Sequence, residues 1–98
     1  MPRPTVWPVP NKRPFVINVG VASTQVVPAL SSRLTLVGVN IGDEVCYISE
    51  GTPAIMGQGD AVYPYGSMHM DEHNLYTGVI YAICATGTAI LSCTEGTS

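Results

Sequence analysis

Charge is scarce in this chain. Asp, Glu, Lys and Arg supply 11% of its 98 residues, under half the roughly 25% of ordinary soluble domains. Disordered chains are charge-rich and poor in β-branched residues, so disorder as the main state is excluded. Long apolar runs are missing too. The longest, Val79 to Ala85, falls far short of the roughly 18 residues a membrane-spanning helix needs, and no membrane partner is expected. No apolar stretch follows Arg3, Lys12 and Arg13, so no secretion leader is expected. Windows of about 11 residues never keep a helical apolar period free of Gly or Pro, which removes helix as the main element.

The few charges are unevenly placed. Residues 1–13 hold Arg3, Lys12 and Arg13 and no acid, whereas residues 14–98 hold Arg33 against seven acids. A +3 segment thus precedes a −6 body. Such a pairing predicts docking of the basic segment on an acidic surface, a neighbouring copy included. Three charges without a basic stripe on the body make a poor phosphate footprint, so no nucleic-acid partner is expected.

The three cysteines, Cys46, Cys84 and Cys93, form no C-x-x-C and each lies in an apolar run. They read as buried thiols of a reducing compartment. Cys84 and Cys93 flank a turn but out of register with each other, and no disulfide is expected.

What is present is β-like. Pro2, Pro4, Pro8, Pro10 and Pro14 make residues 1–14 an extended, Pro-rich arm, because proline fixes φ and donates no hydrogen bond. Trp7 and Val9 in that arm need an apolar surface to cover them. From residue 15 onward strands are predicted over 15–22, 25–30 (an edge or a bend, given Pro28), 33–42, 44–51 as the return strand, 67–73, 77–85 and 88–95. The last two read as a hairpin about Thr86-Gly87. Segment 52–66, with two prolines and three glycines, reads mostly as loop. Turn signals every 8–12 residues or so predict an all-β domain over 15–98, a small antiparallel β-sandwich or jelly-roll-like barrel.

Several strands are apolar on both faces. Leu34 and Leu36 fall on one side of their strand, and Val37, Val39 and Ile41 on the other. A sheet with one wet face alternates cleanly, and a domain of this size buries only about 60–65% of its unfolded surface. The second apolar face predicts a homo-oligomer. Cover from the arm and the 52–66 loop of the same subunit is the competing expectation.

Chemistry-bearing constellations are weak. On a strand His69 and His73 stand about 13 Å apart, too far to share a metal ion. Asp71 and Glu72 would point to opposite faces, and Asp43-Glu44 reads as turn chemistry. Ser31, Ser32 and Ser49 lack an activating context, and Gly57-Gln58-Gly59 precedes no helix that could cradle a phosphate. Tyr47, Tyr63, Tyr65, Tyr76 and Tyr81 could form a sugar platform, although buried rings with wet hydroxyls are the commoner use. No catalytic residue, cofactor or metal is expected.

The run from Leu30 to Glu95 resembles a small β-sandwich domain of tailed-bacteriophage structural proteins, found in head decoration (cement) and head-fibre proteins. The resemblance rests on Arg33-Leu34-Thr35-Leu36 through Asn40, on Val45-Cys46-Tyr47-Ile48-Ser49-Glu50-Gly51, on Gly57-Gln58-Gly59, and on Pro64-Tyr65-Gly66-Ser67. It continues through Thr77-Gly78-Val79-Ile80-Tyr81-Ala82-Ile83 and Gly87-Thr88-Ala89 to Glu95. It implies a virion structural protein made in the bacterial cytoplasm, often a trimer on the capsid surface, with the major capsid protein as partner. Unlike the longer members, the chain is expected to carry no fibre shaft and no separate receptor-binding head, which favours a bare decoration protein that bridges capsomers. Arg3, Trp7, Lys12 and Arg13 are then the expected capsid or subunit contacts. The alternative is a carbohydrate-binding or adhesin module of a tail or spike, with the tyrosines and the 52–66 loop as its sugar surface.

Overall fold

A computed structural model describes residues 11–71, 73–87 and 89–98. Eight strands follow one another: β1 (Asn11–Val19), β2 (Thr24–Val27), β3 (Arg33–Asn40), β4 (Cys46–Glu50), β5 (Asp60–Val62), β6 (Ser67–Met70), β7 (Ile80–Cys84) and β8 (Ala89–Thr97). They form two four-stranded antiparallel sheets, ordered β1-β8-β3-β6 and β2-β7-β4-β5. Except for β4 to β5, every connection between consecutive strands crosses from one sheet to the other. This is the strand order of a jelly roll, and it falls within the small antiparallel β-sandwich or jelly-roll-like barrel that the sequence predicts.

Alternation builds the core. Ile80, Ala82 and Cys84 of β7 face inward against Ala89, Leu91 and Cys93 of β8, all essentially buried. Val19, Leu36, Ile48, Val62 and Met70 complete the layer. Each such aliphatic side chain contributes about 1.5–3 kcal/mol by leaving water. All three cysteines are buried free thiols.

Two predicted hairpins are absent. β7 pairs with β2 and β4, and β8 with β1 and β3, so the turn about Thr86-Gly87 links opposite sheets. The inward faces of β7 and β8 meet across the core rather than lying side by side. The return strand after β3 likewise crosses over, steered by Asn40. Its buried amide donates to the carbonyls of Glu44 (2.6 Å) and Val62 (3.0 Å) and accepts from the Gly42 N–H (3.0 Å). A Cβ on Gly42 would meet the Ile90 nitrogen at 2.9 Å.

The boundary at residue 14 also moves. Asn11 to Pro14 belong to β1, paired with Thr97 to Thr94. Proline is tolerated there because β1 is an edge strand with one unpaired side.

Candidate functional site

Of the expected contact residues, Arg3 and Trp7 lie outside the described residues. Lys12 is exposed on β1 opposite Gly96. Arg13 is exposed over 58% of its side chain but is engaged within the subunit: its Nη2 donates to Glu95 Oε1 at 2.8 Å. Its guanidinium also lies 4.6 Å from the Phe15 ring centroid.

Behind it sits a buried cluster. Arg33 and Glu95 have 0% and 1% of their side-chain surface exposed and meet at 2.7 Å, Nε to Oε2. The remaining Arg33 donors reach the carbonyls of Tyr76 (2.7 Å), Gly78 (3.2 Å) and Pro28 (2.6 Å). Burial pushes the Glu95 carboxyl up, but the hydrogen bonds from Arg33 and then Arg13 outweigh it, and its pKa lies below the ordinary value. The buried members of this cluster, Arg33 and Glu95, hold β1, β3, β8 and two connections together, whereas Arg13 keeps more than half of its side chain exposed. Arg33 was the one base in residues 14–98. That solitude inside an apolar run was the signal for an internal partner.

The end of the sandwich opposite this cluster carries a different surface. There the β1–β2, β3–β4, β5–β6 and β7–β8 connections converge. Gly20 O accepts from Cys84 N (3.0 Å), Ile41 N donates to Ile90 O (2.8 Å), Tyr65 N donates to Asn40 O (2.6 Å), and Thr86 Oγ1 donates to Glu44 Oε1 (2.9 Å). Four large apolar side chains stand out from these connections: Val21 (60% exposed), Ile41 (45%), Tyr63 (64%) and Tyr65 (79%). Asp43 and Glu44 lie in the same connections, and no basic residue among the described ones does. Tyr65 has φ 64°, the one non-glycine in the left-handed region among the described residues. A bulky side chain there costs roughly 1–2 kcal/mol. The remaining tyrosines, Tyr47, Tyr76 and Tyr81, are half-buried, so a five-tyrosine platform does not form.

Two shallow clefts lie elsewhere, and neither includes a tyrosine. One, of about 130 Å³, is lined by Ser49, Thr52, Pro53, Ile55, Gln58 and Gly59. The other, of about 190 Å³, opens between β5 and β6 beside Glu50, Asp60, Met68, Met70 and Asn74. Burial, and then the neighbouring Asp60, raises the Glu50 pKa. His69 is exposed on β6, and His73 lies in the turn after it, with its N–H donating to Asp71 Oδ1 at 2.9 Å. Among the described residues no three His, Cys, Asp or Glu side chains converge as metal ligands would.

The outward faces of both sheets are almost uncharged. The first presents Pro14, Val16, Val37, Val39, Ile90 and Thr94, with Lys12 at one corner. The second presents Tyr47, Ser49, Ala61, Tyr81 and Ile83. The loop after β4 covers part of the second: Ser49 Oγ is bonded to Thr52 Oγ1 (3.1 Å), and the Ala54 N–H donates to Ser23 Oγ (2.8 Å), on the far side of β7. The 52–66 loop thus supplies some cover from within the subunit.

No family model, curated protein or solved structure matches the chain.

Proposed function

We propose that the chain is a virion structural protein, a bacteriophage capsid decoration protein that binds the head shell and stabilises it by bridging capsomers. The observation that carries this reading is the distribution of charge. The two outward sheet faces, largely Val, Ile, Thr and Tyr, bear a single Lys, Arg, Asp or Glu among the described residues, Lys12, while the exposed acids Asp43, Glu50 and Asp60 lie in a connection or at strand ends. Uncharged β faces suit packing against other protein, either further copies or a capsid surface. A homo-oligomer, a trimer by the resemblance given above, covers one such face. The partner on the shell is the major capsid protein.

The basic arm is the tether in this reading, with Arg3, Trp7 and Lys12 as its contacts. Arg13 serves it from the strand, tied to Glu95. The buried polar groups Arg33, Asn40 and Glu95 are engaged in internal hydrogen bonds, which favours a non-enzyme without cofactor. A clamp that binds only the expanded shell stabilises that state by mass action.

Removing residues 1–10 tests the reading, because β1 begins at Asn11 and keeps its pairing with β8. The truncated chain is expected to keep its β-type circular dichroism and to lose its place on purified expanded heads of the phage that encodes it. Undiminished occupancy of those heads would refute the role of the arm, and no occupancy by the full chain would refute the decoration role itself.

A further inference from the structure

The geometry points to the acidic, tyrosine-bearing tip of the sandwich as the receptor for the Pro-rich arm of a neighbouring copy. The inference rests on reading the arm as a contact element and names the surface that receives it.

Three observations converge. The first is exposure: Tyr65, in the turn closed by the Gly66 N–H on Tyr63 O (2.7 Å), is 79% exposed, beside Tyr63 at 64% and Ile41 at 45%. Large apolar and aromatic side chains left this exposed at one end of a domain mark a surface suited to binding. The second is complementarity. Proline-rich segments dock on exposed aromatic faces, and nearby acids select basic ligands. The tip offers Tyr63 and Tyr65 with Asp43 and Glu44, while the arm alternates Pro2, Pro4, Pro8 and Pro10 with Arg3 and Trp7.

The third is reach. The arm joins β1 at Asn11, beside Thr97, and β1 runs from there to the tip at Val19. Nine strand residues span about 30 Å. Trp7, four residues before Asn11, extends at most about 14 Å. The tryptophan therefore cannot touch its own tip, and the tip it fits belongs to another copy. Such an arm-to-tip contact is head-to-tail, so it closes into a ring or extends along a lattice.

The test is done in solution, without heads, so its failure and that of the decoration role are separable. A benzophenone amino acid replaces Trp7 in the full chain, and light and heavy-nitrogen preparations are mixed before irradiation. Mixed-isotope cross-links to residues 41–45 or 63–66 are expected. Cross-links confined to the same chain, or to the sheet faces of another copy, would overturn the inference. In sedimentation, Tyr65→Gly and Asp43→Asn, both at exposed turn positions, are each expected to weaken self-association about tenfold or more. Association unchanged in both variants, a full chain that is monomeric throughout, or Tyr65-dependent binding on a glycan array with association intact would each overturn it.

Discussion

Glu95 lies between two guanidinium groups, accepting from Arg33 at 2.7 Å on one oxygen and from Arg13 at 2.8 Å on the other. The two arginines are unequal. Arg33 is wholly buried and Arg13 is more than half exposed. Replacing Arg33 with Leu leaves one oxygen of a buried carboxylate and three backbone carbonyls without their donor. A loss of about 3–5 kcal/mol is expected in urea denaturation. Arg13→Ala is expected to cost under about 1 kcal/mol. Adding Glu95→Leu to Arg33→Leu is expected to recover part of the loss, since the carbonyls of Pro28, Tyr76 and Gly78 remain unpaired.

Acid sensitivity follows from the same carboxylate. The folded pKa of Glu95 is depressed. Its contribution is therefore complete above the unfolded value of about 4.3 and is lost as pH falls through the lower folded value. Glu50 has the opposite sign: its pKa is raised, so it opposes folding at neutral pH and ceases to do so as it protonates. The urea midpoint is expected to fall on acidification below about pH 4, with a flatter acid limb in Glu95→Gln. A midpoint independent of pH in that range would contradict the ion-pair account.

The thiols are expected to be inert in the native protein. Burial, with the neighbouring thiols Cys84 and Cys93 adding to it, raises the Cys46 pKa to about 11. Burial and then Glu95 raise that of Cys93 to about 11. At pH 8 only about one such thiol in a thousand is ionised, and the thiolate is the reactive form. Dithionitrobenzoate is expected to titrate no thiol in buffer and all three in guanidinium.

Glycines near β5 separate two costs. A Cβ on Gly59, at φ 88°, would run into the Ile48 carbonyl oxygen, whereas one on Gly57, at φ 82°, meets open space. Gly57→Ala is expected to cost about 1–2 kcal/mol from conformation alone. Gly59→Ala is expected to cost more, because the pairing of Asp60 with Ile48 is pushed apart as well. Tyr65→Gly runs the other way and is expected to leave stability unchanged or raised, a check by thermal melting.

Seven of the eight strand positions were legible in the sequence, β5 lying in the segment that reads mostly as loop, and strand partners were not. Alternation about Phe15, Ile17 and Val19 or Ile80, Ala82 and Cys84 marks strands wherever they pair. The chain between Cys84 and Ala89 is short enough for a hairpin, and only the opposed inner faces of β7 and β8 decide against one. Similarly, Pro14 reads as arm until β8 supplies an edge that tolerates it. The tip was illegible for a related reason: Val21, Ile41, Tyr63 and Tyr65 come from three connections that only the crossing topology brings to one end. Arg33 and Glu95, 62 positions apart, were separately conspicuous, and their union needed β3 laid against β8.

The pairing of Asn11 with Thr97 also sets an order of events. β1 has a single neighbour, β8, and its paired residues lie 70 to 86 positions later in the chain. Until that late strand is laid down beside β3, the first strand has no hydrogen-bonded partner in its sheet. Closure of so wide a loop is slow compared with local contacts. The tether therefore acquires its fixed root only when the rest of the sandwich is complete, so an unfinished subunit cannot present it in the right place.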